Sequence, residues 1–386
     1  MHKTILASAV ILAFAHTAIA AEVTYDEGSS IQTGSVTEDT VVKVTKGVLT
    51  NSDGYKQAET GSQEEVKKGF TLTINTKDRF IGVLAGSGAT YTNNGKIIVN
   101  GAAENNWTIK AMVAADGTIE NAGTIEVTNA YGMQGTASSG GTIINSGTII
   151  VHENAAAIDG DANSSKSASS NTTNTGDIVL TGATSTGVLI GRGDSFTNSG
   201  TISGSEGTAI LVTEGNDGGS QESLSITLSG NSRVEGVFDL TNYSNITVTE
   251  DAIHQTVRLA DDAGDISNNS SLTIEQADPS EGLEIASIKT NTGATTDILM
   301  HSAGTADNPV LVVKQTSGDG SVAVGYSGTV SDSINAGETQ VADLLAGATI
   351  NNEALTETTV AEGQWGNALS VSTDDSGNVV TRVTSE

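Results

Sequence analysis

One five-residue unit, written five times between residues 93 and 202, constrains this chain more than any other feature. The copies are Asn93-Asn94-Gly95-Lys96-Ile97, Asn121-Ala122-Gly123-Thr124-Ile125, Asn145-Ser146-Gly147-Thr148-Ile149, Asn174-Thr175-Gly176-Asp177-Ile178 and Asn198-Ser199-Gly200-Thr201-Ile202. Successive asparagines lie 28, 24, 29 and 24 residues apart. Recurrence at that distance is the period of a solenoid coil, with loops absorbing the variation.

Around each copy the side chains alternate. Ile97 and Val99, Ile125 and Val127, Ile149 and Val151, and Ile178 and Leu180 fall on one face, while Lys96, Thr124, Glu126, Thr148 and Asp177 fall on the other. Period two predicts a half-buried strand. Two residues before each asparagine stands a second inward candidate, Tyr91, Ile119, Ile143 or Phe196, with Thr172 the exception. Asn-x-Gly therefore reads as a corner between two short strands, built from residue types that tolerate a left-handed backbone. Stacked asparagines are expected to bond amide to amide along the axis. A third apolar segment precedes most corners, at 80–84, 112–115, 155–158 and 187–190. Three strands per coil predict an all-β chain, a right-handed parallel β-helix (β-solenoid). The hairpins of a β-sandwich rarely repeat one corner at a fixed offset.

Composition agrees with thin layers of small apolar residues. Gly is abundant (45), Pro scarce (2) and aromatics only 3%, which disfavours the aromatic-anchored core of a compact α/β enzyme. Charged residues, at 16%, fall below the usual quarter, whereas a disordered acidic chain should exceed it. The absence of cysteine removes any disulfide framework, so packing and backbone ladders must supply the stability. A net charge of −29 argues against nucleic acid as a partner, since phosphates require a basic footprint.

Residues 1–20 read as an export signal. His2 and Lys3 give a positive start, residues 4–15 an apolar run too short to be a permanent membrane span, and Ala18-Ile19-Ala20 a small-x-small cleavage site. The mature chain is expected to begin at Ala21, as a solenoid over 21–278 with the repeats at 93–202, followed by a β-rich segment over 279–386 that acts as a folding cap. Further strands are expected at 41–44, 70–74, 224–228, 246–248, 272–274, 283–285, 310–313 and 322–324. Residues 159–173 and 214–221 read as protruding loops. Some fifteen coils at about 4.8 Å predict a rod on the order of 70 Å long.

The export signal, the Asn-x-Gly-Thr-Ile corners and the tail Glu362-Gly363-Gln364-Trp365-Gly366-Asn367-Ala368, followed by Asp374-Asp375-Ser376-Gly377-Asn378-Val379, resemble the passenger region of autotransporter proteins. Gram-negative bacteria export these through a C-terminal β-barrel of the same chain. The resemblance covers most of the sequence, which ends at Glu386 with no barrel, as a truncated passenger or a chain secreted by another route would. It implies a non-catalytic protein, secreted or at the cell surface after export through the periplasm. The implied roles are adhesion or self-association, with host surface proteins, matrix proteins or glycans as partners and the outer membrane reached through a barrel. The alternatives are a polysaccharide-active β-helix enzyme, lyase or hydrolase, and an inert structural spacer. Close carboxylates of shifted pKa in a groove would mark the enzyme.

Few local motifs carry chemistry. Arg192-Gly193-Asp194 spells the triplet that integrins read as an exposed cation and carboxylate at fixed separation, yet it occupies a Gly-rich turn of the kind that precedes other copies. Trp107, after Glu104-Asn105-Asn106, is either an exposed contact residue or a core filler at the edge of a coil. Gly193-Asp194-Ser195-Phe196 is similar to the nucleophile block of Gly-Asp-Ser-Leu esterases, and Asp251-Ala252-Ile253-His254 would supply an Asp and a His. No α/β pattern surrounds them. Asp159-Gly160-Asp161-Ala162-Asn163 starts like a calcium loop, but Ser164 and Ser170 stand where Gly and Glu are needed. No zinc spacing is present among the five histidines, and neither a catalytic residue nor a cofactor is expected.

Overall fold

A computed structural model describes residues 20–25, 32–44, 54–102, 108–136, 138–160, 168–191, 193–204, 206–213, 224–302, 304–305, 307–326, 347–351, 353–354, 369–373 and 379–384. Among these the regular structure is β throughout, arranged in sheets of nine, fifteen and thirteen strands. The chain winds through the three sheets in turn. Ile109–Ala114 belongs to the fifteen-stranded sheet, Thr118–Asn121 to the thirteen-stranded and Thr124–Thr128 to the nine-stranded, and Tyr131–Gly135 then returns to the first, one coil higher. Pairing between coils is parallel and in register, as in Ile97 with Ile125, Ile125 with Ile149, Ile149 with Ile178 and Ile178 with Ile202. The chain is a β-solenoid, as the repeat predicts.

The corners hold the amide ladder. Asn93, Asn121, Asn145, Asn174 and Asn198 are fully buried. The Nδ2 of each of the first four donates to the Oδ1 of the asparagine in the next coil, at 2.7, 2.8, 2.7 and 2.7 Å in order, and that of Asn198 donates to Ser232 Oγ at 2.7 Å. The second N–H turns to a backbone carbonyl near the corner, that of Thr124, Thr148, Gly147, Gly176 or Gly200. Buried amides cost free energy unless bonded, and these are bonded.

The corner glycines serve a different purpose from the one the sequence suggested. None of Gly95, Gly123, Gly147, Gly176 and Gly200 has positive φ. A Cβ on Gly123, Gly147, Gly176 or Gly200 would instead lie 2.1 Å from the carbonyl oxygen of the corner glycine one coil below. Close stacking of backbones excludes any side chain there. The left-handed residues sit elsewhere, at Asp116, Asn129 and Asn154 among others.

Inside the coils the inward residues form columns. Tyr91, Ile119, Ile143, Thr172, Phe196, Ile226, Ile246, Ile266 and Ile288 stack in register along the thirteen-stranded sheet, each at most 1% exposed. Thr172 thus occupies the column despite its hydroxyl, whose oxygen has no hydrogen-bond partner. The loop expected over 159–173 is shorter than that, because Asp159 ends the strand Ala156–Asp159 and Ser170–Asn174 is itself a strand. The other expected loop, 214–221, lies outside the described residues. Tyr131–Gly135 supplies the third strand for a coil in which the sequence offered no apolar run. Only Met133 there is large and apolar, fully buried between Met112 and Ile158.

The cross-section changes along the rod. The nine-stranded sheet ends at Arg233–Val234, and thereafter strands alternate between only two sheets. The strand Gln255–Leu259 bridges the change. Its Arg258 and Leu259 pair Val237 and Phe238, while the Gln255 amide donates to the Ser232 carbonyl at 2.9 Å, just before Arg233. One straight strand there lies over two that are separated by the bend at Gly236 (φ 108°). Three faces become two beyond the repeats, where the corner motif has faded.

No break in the ladder marks position 279. Ala263–Asn268 pairs in parallel with Leu283–Thr290, Ser271–Gln276 with Thr295–Met300, and Leu283–Thr290 with Leu311–Ser317. At the far end the pairing turns antiparallel, where Val379–Thr384 joins Ser321–Tyr326 and Leu369–Thr373 joins Val379–Thr384. Two of the fifteen strands are these antiparallel ones, so thirteen run parallel. Their twelve steps of about 4.8 Å give a ladder close to 60 Å, somewhat shorter than the sequence estimate. Residues 1–19, 362–368 and 374–378 lie outside the described residues.

Candidate interaction surface

In the Arg-Gly-Asp triplet the carboxylate lies inside the turn. Gly193 (φ 73°) shapes a tight turn in which Asp194 N–H donates to Gly191 O at 3.0 Å. The Asp194 side chain folds inward and is 1% exposed. Its Oδ1 accepts from Ser170 N–H and its Oδ2 from Gly191 N–H, each at 2.8 Å. A carboxylate held by two backbone donors staples this turn to the coil below. Arg192 and Trp107 lie outside the described residues.

Alternation along the strand accounts for the inward position of Asp194. Four residues before the corner asparagines stand Gly141, Ser170 and Asp194, a parity shared with Phe196 and Asn198. Asp159 is buried as well, at 4% exposure, and accepts from Gln134 Nε2 at 2.5 Å. The Asp159 end of the calcium-like string is therefore drawn into the strand. The remainder of that string, from Asp161, lies outside the described residues.

The esterase-like residues are not brought together. Ser195 Oγ donates to Asn171 Oδ1 at 2.9 Å on the thirteen-stranded sheet. The two ring nitrogens of His254 face Ser271 Oγ at 2.6 Å and Thr273 Oγ1 at 3.1 Å. Asp251 is bonded to Thr249 Oγ1 at 2.5 Å, not to His254. Among the described residues no group of three or more His, Cys, Asp or Glu is placed to hold a metal ion.

Two outward rows join a cation, a glutamate and a histidine from neighbouring coils. Lys96 Nζ lies 2.8 Å and His152 Nε2 3.2 Å from the Glu126 carboxylate, and His152 Nδ1 is 2.9 Å from Thr181 Oγ1. Hydrogen bonds from Lys96 first and then His152 hold the Glu126 carboxyl below the usual carboxylate range. On the fifteen-stranded sheet, Arg258 Nε and His301 Nε2 lie 3.5 and 3.0 Å from Glu275. Such half-exposed pairs are surface ladders of modest energy.

Asp239 and Asp262 were singled out by no sequence motif, and both are affected by the charge of Asp261. Burial, and then the charge of Asp261, push Asp239 above the usual carboxylate range. Asp262 is raised as well, by burial first and by Asp261 and Glu284 against the lowering effect of the Glu284 N–H, which donates to it at 2.8 Å.

The thirteen-stranded sheet carries a strip of another character. In four successive coils its outward residues are Asn171 and Thr173, Ser195 and Thr197, Ser225 and Thr227, and Asn245 and Thr247, aligned in register as two columns. None is buried and none is charged. Charge bounds the strip above, at Asp265, whose N–H donates to Asn245 Oδ1 at 2.9 Å, and further below at Glu120. Comparison of the chain with family models, curated proteins and solved structures gave no match.

Proposed function

We propose that this chain is a non-catalytic, surface-displayed or secreted passenger protein of the autotransporter kind, acting in adhesion or self-association through a β-helical rod. The observation that carries the reading is the division of labour in each coil. Inward positions are spent on Ile and Val columns and a satisfied amide ladder, so the outward positions and loops are free to vary without altering the fold. Repetition along the axis favours many weak contacts over a single pocket. The export signal and the tail over 362–379 support delivery to the cell surface, where host surface or matrix proteins, or glycans, would be met. Beads coated with the purified protein should clump together or be retained on immobilised matrix proteins or glycans. Beads that neither clump nor adhere would reduce the chain to a spacer.

A second reading is a polysaccharide-active enzyme in which Asp239, its carboxyl raised by burial and by the charge of Asp261, serves as the general acid. Release of reducing sugars from a polysaccharide panel, abolished by Asp239→Asn, would establish it. No release would leave the first reading alone.

A further inference from the structure

The uncharged strip on the thirteen-stranded sheet differs from the rest of an acidic rod. The chain carries a net charge of −29, yet over four coils the outward residues of these described strands offer only hydroxyl and amide groups. Its two columns repeat at the rung spacing of about 4.8 Å along the axis, with about 7 Å between them. Hydroxyls and amides both donate and accept, so a partner rich in hydroxyls can be met in either sense at every rung. Threonine in a strand is stiff at χ1, so the column of Thr173, Thr197, Thr227 and Thr247 loses little freedom on binding. Ser195 is further oriented by its bond to Asn171.

Resting on the adhesive reading above, we infer that this strip binds a neutral, extended, β-linked polysaccharide laid along the rod axis. The rung spacing is close to the length of one pyranose unit in such a chain, so successive sugars meet successive coils. A coiled α-linked glucan would leave a straight face after a few units. Polyanionic glycans are disfavoured by the acidic molecule, and the strip has no carboxylate to attract a polycation.

The test is titration of the full chain with soluble β-1,4-glucan oligosaccharides, from the disaccharide to the hexasaccharide. Affinity should rise about tenfold or more from disaccharide to tetrasaccharide, as contacts add along the strip, and then level off. Thr197→Lys with Thr227→Lys, both outward and compatible with the fold, should lower the pentasaccharide affinity about tenfold. Thr148→Lys on the nine-stranded sheet should not change it. Unaltered circular dichroism would confirm that each variant is folded. Equal affinity of wild type and double variant, indifference to oligosaccharide length, or equal binding of a polyuronate would each overturn the inference. If the double variant also fails to self-associate while wild type ignores the glucan, the strip is a contact between copies and the glycan assignment falls. Coated beads that still adhere after any of these results leave the adhesive reading standing on other surfaces.

Discussion

Asn145 donates its side-chain amide to Asn174 Oδ1 at 2.7 Å while accepting from Asn121 Nδ2 at 2.8 Å, which makes it the middle member of a five-amide row buried along the corner of the solenoid. Its removal strands a donor below and an acceptor above. Asn145→Ala should therefore cost about 2–4 kcal/mol, and Asn93→Ala, at the end of the row, about half as much. Denaturant midpoints of the two variants measure the difference. Equal losses would mean that the row is not coupled along its length.

Gly147 faces the carbonyl oxygen of Gly123 at the distance where a Cβ would lie only 2.1 Å away. Gly147→Ala forces backbone apart at a stacked corner, with no flexible side chain to yield. A loss of at least about 3 kcal/mol is expected, in the class of severe single-site changes. By contrast Gly88, with φ of 66° and open space around its Cβ position, should lose only the smaller cost of a left-handed alanine, about 1 kcal/mol. Thermal unfolding of the pair distinguishes steric exclusion from backbone preference.

Thr172 keeps a hydroxyl without a partner between Ile143 and Phe196. Thr172→Val retains the shape and removes the buried polar atom, so the variant should be more stable by about 1 kcal/mol. A lower midpoint in Thr172→Val would show that the hydroxyl is satisfied in solution.

Asp194 bonds two backbone N–H groups from a buried position. Asp194→Ala should destabilise the chain by about 2–3 kcal/mol. Cell attachment, if present, should follow the loss of folded protein and not the triplet as such. Attachment abolished by Asp194→Glu in a protein of unchanged stability would support the integrin idea.

Asp239 has its carboxyl raised by burial and by Asp261, so its charged form is disfavoured in the fold. A raised folded-state pKa means that the folded chain holds the proton more tightly, and the group weakens the fold above that pKa and ceases to do so below the unfolded value. Asp239→Asn should accordingly be more stable than wild type at neutral pH, with the gain fading as pH falls through the carboxylate range. Glu126 runs the other way. Its lowered pKa adds stability that is present above the unfolded value and is lost as pH falls through the folded one. Stability curves of Asp239→Asn and Glu126→Gln against pH should therefore deviate from wild type with opposite sign near neutrality.

The corners were legible because their repetition in sequence is also repetition in space. Asparagine at 93, 121, 145, 174 and 198, with period-two Ile and Val beside it, specified strand, corner and amide row together. What was not legible depended on contacts between coils that no single coil displays. The glycines are required by a carbonyl one coil below, which sequence reasoning replaced with a plausible φ argument. The strand Tyr131–Gly135 is fixed by its neighbours Ile109–Ala114 and Ala156–Asp159, since Gly132, Gln134 and Gly135 leave it no apolar run to announce it. Asp194 was readable from parity, but the familiar triplet drew attention away from that signal. The loss of the third sheet after Arg233–Val234 left a trace in the fading of the corner motif, and the raised carboxyls of Asp239 and Asp262 beyond it left none.

The amide row also has a direction. Every member donates toward the C-terminal coil, so five side-chain dipoles align head to tail, beginning at Asn93, whose Oδ1 accepts from Gly95 N–H at 3.2 Å, and ending where Asn198 donates to Ser232 Oγ at 2.7 Å. A duplicated coil inserted anywhere within the row would meet an acceptor above and a donor below, and the array could lengthen one repeat at a time. An inverted repeat would set like groups against each other, which confines growth of this molecule by recombination to a single polarity.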